Sequence, residues 1–237
     1  MSKNPGMTFE SALNLLDKLY DLAVDGKPPV FDSVETLAND YLDKYKNEYA
    51  IKAMIKAQVL KCTASGFVTG FGGLITLPAS VAANIGSVML IQMRMLACIA
   101  YMAGYDVRSD QCRSLVFAAF VGLKVSGFIK PTMIKLGVKA AQAGIKKIPG
   151  KVLTAINQKV GFRLITRFGS KGVINLGKMI PIAGAAVGGM FDNVETKIIA
   201  KRGYKAFVEN DFTYGEKIIN DDEIIDLEFE DEELHDE

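Results

Sequence analysis

The residues that most often perform catalysis are scarce in this sequence. Its single histidine, His235, lies in an acidic C-terminal stretch, which excludes Ser–His–Asp and Cys–His catalysis and histidine-rich zinc sites. The three cysteines, Cys62, Cys98 and Cys112, lack the spacing of a metal site, and their odd number cannot form a closed set of disulfides. We therefore expect no catalytic residue, no metal and no cofactor.

One segment, Gly172 to Lys178, has the G-x4-G-K spacing of a phosphate-binding loop. Such a loop holds phosphates with glycine amides and the lysine, and a following Ser or Thr holds magnesium. Here that position is Met179, no strand pattern precedes the segment, and Pro181 interrupts the helix that should follow. We expect no nucleotide binding.

Two pairs of carboxylates have a spacing that permits acid–base chemistry or cation binding. Asp106 and Asp110 would be one helical turn apart, but the residues around Asp106 resemble a turn. Ser109 and Asp110 are both able to cap the helix that follows, and we expect Asp110 to do so. Asp192 with Glu195 could bind a cation, but ion pairs with Lys197 or Arg202 on the same helix are the favoured interpretation. A lipid- or phosphate-acting enzyme using Asp106 or Asp192 with Arg94 is the least favoured function, since no nucleophile–base pair is visible.

Three polar residues interrupt an otherwise apolar segment. Gln92 lies eight positions after Asn84, near the same face of a helix, whereas Arg94 points elsewhere. The favoured interpretation is a buried hydrogen-bonded network that ties helices together, since unpaired buried polar groups are costly. The alternative is a polar lining to an apolar pocket. The candidate residues for this network or pocket are Asn84, Gln92, Arg94, Asp106 and Asp192.

Charge is distributed unevenly along the chain, although the net charge is only +1. No acid occurs between Asp110 and Asp192, a stretch that contains thirteen Lys and Arg residues. From Glu209 to Glu237 there are fourteen acids and one base. Such asymmetry suggests an anionic partner for the basic part, or an acidic tail that screens it.

Three interpretations of the basic helices remain open: solvated faces, a membrane-binding surface, and a nucleic-acid surface. The amphipathic pattern favours the membrane, because an apolar face accompanies lysines that each contribute about 1 kcal/mol near anionic lipid. Aromatic residues for base stacking are sparse, so we expect no nucleic-acid partner. The predicted lipid-binding residues are Lys135, Lys139, Lys146, Lys159, Arg163 and Arg167.

Helical periodicity dominates the elements that carry these residues, and we predict an all-α fold. Predicted helices cover residues 8–25, a segment from residue 32 or 33, 78–103, a segment from residue 109, 131–148, 152–168 and 181–207. Residues 162–168 also alternate as a strand would, but they lie between helical patterns.

Whether the protein enters the membrane depends on the uncharged residues 62–93. Their length would permit a membrane span, but a glycine cluster and Pro78 favour a buried helical hairpin, or one that dips into the membrane. We divide the chain into an N-terminal helical segment (1–48), a compact domain of glycine-rich helical hairpins (49–210) and a disordered acidic tail (211–237). The first residues lack an apolar signal core, which favours the cytoplasm.

Residues Gly66 to Asp110 combine several motifs: a glycine-rich element, Thr-Leu-Pro, Asn84, Gln92-x-Arg94, Gly104-Tyr105-Asp106 and Ser109-Asp110. Residues 180–193, IPIAGAAVGGMFDN, add a second glycine-rich signature. In combination these motifs resemble the EcsC family, over roughly residues 50 to 208.

The resemblance implies a helical domain, a bacterial origin and association with the cytoplasmic face of membranes, and it carries no catalytic activity. We therefore predict a non-catalytic protein bound peripherally to anionic lipid at the inner face of the cell membrane, with room for an apolar ligand. The alternative is a cytosolic interaction module for a transporter or secretion component. The oligomeric state is left open.

Overall fold

A computed structural model describes residues 8–63, 83–128, 138–168 and 184–212. Eight α-helices and no strands occur in these four ranges, as the predicted all-α class requires. The helices are α1 Phe9–Asp25, α2 Val34–Leu42, α3 Asn47–Thr63, α4 Ala83–Met102, α5 Asp110–Val121, α6 Val138–Ile145, α7 Gly150–Phe168 and α8 Gly184–Phe207.

Local sequence sets several helix ends as predicted. Thr8 caps α1 in a reciprocal pair with Ser11, and Gly26 follows its last residue. Ser33 begins α2 by accepting a hydrogen bond from the amide of Thr36. The helix after residue 109 is capped by Ser109, so the expectation that Asp110 provides the cap is wrong. Asp110 is the first helical residue, where its charge favours the positive end of the helix dipole.

The helix α4 is the centre of the fold. Every residue from Val88 to Ala100 is buried, and α1, α2, α3, α5 and α8 all pack against it. A helix that is apolar on every side is stable only when other helices surround it. Close packing with α8 depends on Gly203, where a Cβ atom would lie 2.5 Å from Cδ2 of Leu96.

The helices α1 and α7 pack against each other and contribute to this core. The N-terminal helices share a single hydrophobic cluster with the later ones, and its largest members include Tyr20, Phe117, Phe120 and Phe207. Arg113 joins α5 to α1 through ion pairs with Asp17 and Asp21, 3.3 and 2.6 Å long.

Some predicted features lie outside the described residues. They include Pro78, the phosphate-loop-like segment 172–178 and residues 213–237 of the acidic tail. Residues 162–168, which alternate in polarity, belong to α7 and are helical. In the described ranges, no helix combines the length and the apolar character that crossing a bilayer requires.

Candidate functional site

The outward face of α7 presents cations and an aromatic ring to solvent. Its inward stripe, Leu153, Ile156, Val160 and Leu164, is buried against the core. The outward residues Lys151, Thr154, Gln158, Lys159, Phe162 and Thr166 are exposed. Phe162 is 66% exposed, the largest fraction among the exposed large hydrophobic residues of the described ranges. A phenylalanine so placed is a candidate for contact with an apolar partner.

A second exposed ring lies beside this face. Phe9, at the start of α1, is 40% exposed. A Cβ atom at Gly161 would lie 2.6 Å from Cε2 of Phe9, so the absence of a side chain there lets the ring lie directly on α7. Phe9 therefore contacts α7 at Gly161, the residue that precedes Phe162 in the sequence.

Lys159 keeps its exposed ammonium group over an aromatic ring. Its Nζ atom lies 4.8 Å from the ring centroid of Phe128. A cation–π contact at an exposed site contributes about 0.5–1 kcal/mol. The contact restrains the lysine and leaves its charge accessible to solvent, as predicted lipid binding would require.

Arg163 contacts the end of a neighbouring helix. Its Nη1 donates hydrogen bonds to the carbonyls of Gly122 and Val121, at 2.5 and 3.4 Å. These carbonyls belong to the C-terminus of α5, where a cation offsets the negative end of the helix dipole. The half-buried Arg163 thus helps to fix α7 on α5. Its predicted contact with lipid stays a prediction.

The other predicted lipid-binding residues are placed unevenly. Lys146 is exposed just after α6. Lys139 and Arg167 lie on α6 and α7, but their side chains are outside the described residues, as is the whole of Lys135. Three further lysines of the stretch without acids are exposed: Lys124, Lys147 and Lys151. The sequence pattern did not distinguish them from the other cations of that stretch.

Gln92 and Arg94 tie α4 to two different partners. The Nε2 of the buried Gln92 donates a 3.0 Å hydrogen bond to Oγ1 of Thr196 on α8. Arg94, 9% exposed, donates to the backbone carbonyl of Asp32 and lies over the ring of Phe31, 5.0 Å from its centroid. Burial lowers the pKa of Arg94. The two residues therefore form separate structural ties of α4.

The remaining candidates of that set lie elsewhere or are not described. Asn84 and Asp192 belong to α4 and α8, but their side chains are outside the described residues. Asp106 is exposed and borders a cavity of about 200 Å³, together with Lys146. The cavity is lined by Gly104, Tyr105, Asp106, Ser109, Cys112, Gln142, Ala143, Ile145 and Lys146.

The nucleophilic groups of this cavity are engaged or protonated. The Ser109 hydroxyl donates to the carbonyl of Asp106 at 2.6 Å and accepts from the amide of Cys112. Burial raises the pKa of the Cys112 thiol to about 12, so the thiol is protonated at neutral pH. The Asp106 carboxylate accepts a 3.0 Å hydrogen bond from the amide of Arg108. These contacts stabilise the turn between α4 and α5.

Metal ligands are not clustered in the described residues: no group of three or more His, Cys, Asp or Glu side chains there could hold an ion. Asp106 and Lys146 are the two charged residues among those that line the cavity. The expected apolar ligand stays a prediction.

The model of the EcsC protein family matches residues 23–208 of the chain. The match covers well over half of the sequence, and the chain belongs to this family. It begins inside α1, earlier than the resemblance seen in the motifs, and it ends just after α8. No curated protein and no solved structure matches the chain.

Proposed function

We propose that this EcsC-family protein binds anionic lipid surfaces peripherally, without catalysis, at the cytoplasmic face of the cell membrane. The observation that carries the proposal is the outward face of α7, where the exposed Phe162 lies within one helical turn of the exposed Lys159, in a stretch that contains no acid. We call Lys124, Lys146, Lys147, Lys151, Lys159 and Phe162 the basic surface; all six side chains are exposed.

The basic surface combines the two contributions that peripheral binding requires. Lysines near an anionic leaflet each contribute about 1 kcal/mol. An aromatic ring that leaves water for the acyl boundary contributes about 2–3 kcal/mol. Phe162 follows Lys159 by three residues and therefore lies nearly one helical turn further along α7, so both contributions arise from one helix.

The body of the protein holds α7 in place for such contact. Its inward stripe packs on α1 and α5, and Arg163 fixes it to the end of α5. Little conformational entropy would therefore be lost when this face meets a surface. Phe9, which is 40% exposed, contacts α7 at Gly161 and adds a second exposed ring next to this helix.

The test is flotation with liposomes, with and without anionic lipid. We expect the double reversal Lys151→Glu/Lys159→Glu to weaken binding at least about thirtyfold, because two lysines contribute about 2 kcal/mol before any repulsion is counted. The matched control is Lys44→Glu/Lys46→Glu, which makes the same change of charge at two exposed lysines between α2 and α3. Circular dichroism of both variants checks that they fold.

Equal effects of the two double reversals would contradict the assignment of the basic surface. Absence of binding to every liposome would instead favour the alternative, a cytosolic module for a transporter or secretion component. Under that alternative the basic surface would bind an acidic protein, and a membrane protein partner is compatible with both functions.

A further inference from the structure

We infer that the acidic residues 213–237 of this chain dock on the basic surface of the same molecule and compete with other anions for it. The inference concerns an intramolecular contact, so it does not depend on the proposed function. It rests on three observations: the point where the chain leaves the described body, the charge of the two parts, and the length of the acidic segment.

The chain leaves the body beside the basic surface. Phe212, the last described residue, is 2% exposed and packs edge-to-face on Phe207, with ring centroids 6.4 Å apart. Its carbonyl accepts a 3.2 Å hydrogen bond from the amide of Ser126. Ser126 lies two residues from Lys124 and two from Phe128, the ring that holds Lys159. The acidic segment therefore begins next to two lysines of the basic surface.

Further contacts fix this point of departure. Asn210 accepts a 2.6 Å hydrogen bond from the Tyr105 hydroxyl, and the amide of Asp211 donates to the carbonyl of Lys205 at 2.8 Å. Asn210 has a φ of 55°, which turns the chain after α8. The exit of the acidic segment is thus set by the core.

The two parts are complementary in charge and in apolar content. Residues 213–237 contain twelve acids and one lysine, with Ile, Leu and Phe residues among the acids. The basic surface lies in a stretch without any acid and includes the exposed ring of Phe162. A segment that alternates acids with apolar side chains suits a surface that presents both exposed lysines and an exposed aromatic ring.

The acidic segment is long enough to cover α7. A helix of nineteen residues is about 28 Å long. A Gly-rich chain of 25 residues would span about 25–30 Å on average, and a charged chain spans more because its charges repel each other. The fully extended length is at most about 80–90 Å. Attachment beside the surface gives the segment an effective local concentration of the order of millimolar. A second molecule at the micromolar concentrations of solution would compete poorly.

Paramagnetic relaxation in the full-length chain tests the contact directly. A spin label on a Leu234→Cys variant would report on the acidic segment, because Cys62, Cys98 and Cys112 are at most 2% exposed and escape labelling. We expect amide signals from Lys151 to Phe162 to broaden at low ionic strength. The broadening should disappear in about 1 M salt, where the Debye length is about 3 Å.

Three controls make the result decisive. The Lys151→Glu/Lys159→Glu variant should lose the broadening, whereas Lys44→Glu/Lys46→Glu should keep it. Mixing labelled chains with separate isotope-enriched chains should give no broadening if the contact is intramolecular. The inference is overturned by absent broadening at low salt, by broadening that survives the reversal in α7, or by broadening that appears only between molecules.

A second measurement separates this inference from the proposed function. Replacing the twelve acids of residues 213–237 by their amides should strengthen binding to anionic liposomes at least about tenfold, since the competitor is neutralised. Broadening without liposome binding by either chain would support the contact and contradict the lipid function. Liposome binding of equal strength by both chains would overturn the competition.

Discussion

At the scale of single residues, Tyr20 shows how a buried polar group specifies one packing arrangement. Its ring lies edge-to-face on Phe117, 5.6 Å between centroids. Its hydroxyl donates a 2.7 Å hydrogen bond to the carbonyl of Val107, in the turn before α5. The residue thus fixes α1 to the turn that borders the Asp106 cavity.

We expect Tyr20→Phe to lower the free energy of unfolding by about 1–3 kcal/mol, because the carbonyl of Val107 loses its partner without access to water. Tyr204→Phe removes a hydroxyl that donates to Glu48 at an exposed site, and should cost less than about 0.5 kcal/mol. Urea denaturation followed by circular dichroism measures both variants. Equal losses for the two variants would contradict the structural role of Tyr20.

At the scale of helices, the tie between α4 and α8 rests on a buried amide. Gln92 is 2% exposed and Thr196 is fully buried, and their 3.0 Å hydrogen bond crosses the interface where Gly203 allows close packing. A network of this kind is costly when only half of it is present. The packing of the two helices therefore depends on Gln92 and Thr196 being matched, either both polar or both apolar.

A double-mutant cycle should reveal this dependence. We expect Thr196→Val to destabilise the protein by about 1–3 kcal/mol, because the Gln92 amide is left without this partner. Adding Gln92→Leu should restore most of the loss, since both groups are then apolar. Urea denaturation of the single and double variants gives the coupling energy. Losses that simply add would show that the hydrogen bond does not couple the helices.

The helix boundaries illustrate what sequence could predict at this scale. The helix predicted over residues 8–25 agrees with α1 at both ends, because its caps, Thr8 and Gly26, act within a few residues. The position of α4 was harder, since a helix that is apolar all round does not say which helices surround it. Sequence order equally gave no sign that Arg163 contacts the end of α5, which lies about forty residues earlier.

The candidate site could be predicted only where local sequence determines it. Periodicity placed Lys159 on the outward face of α7, and the structure leaves it exposed. The interpretation of Gln92 and Arg94 as structural ties is supported by their hydrogen bonds. That Gly161 admits Phe9 beside the same face, and that the acidic segment begins beside Ser126, depend on tertiary packing and had no local signal.

At the scale of the whole molecule, several buried thiol and phenol groups should lower the free energy of unfolding at alkaline pH. Burial raises the pKa values of Cys98 and Cys112 to about 12, and it also raises those of Tyr20 and Tyr105. Unfolded thiols and phenols ionise near pH 8.5 and 10. Between those values and the folded pKa values, the unfolded state has released protons that the folded state keeps.

The sign of the pH dependence follows from this difference. The contribution of these groups to the free energy of unfolding is fully present below about pH 8. It falls as pH rises further, because ionisation favours the unfolded chain. Burial lowers the pKa of Lys61, so this residue has the opposite effect on the pH dependence of stability, but it is one group only. We expect urea midpoints to fall between about pH 8 and 10.5, and the Cys98→Ala/Cys112→Ala variant to show a smaller fall. Unchanged midpoints across this range would contradict the burial of these groups.

The distribution of charge over the whole molecule underlies the proposed function. Acids of α1 pair with Arg108 and Arg113 on one side of the body. The basic surface lies in the acid-free stretch, and the acidic segment starts beside it. A net charge of +1 therefore conceals two strongly charged parts that can bind each other or other partners.

The central claim, that α7 meets the membrane, can be measured with one fluorophore because the chain contains no tryptophan. In Phe162→Trp, we expect a blue shift with anionic liposomes and quenching by lipids that carry a quencher in the acyl chain. Leu60→Trp places the probe on α3, 60% exposed and beside the uncharged residues 62–93. A shift at residue 162 alone is the predicted result, whereas a shift at residue 60 alone, or at neither position, would contradict the account.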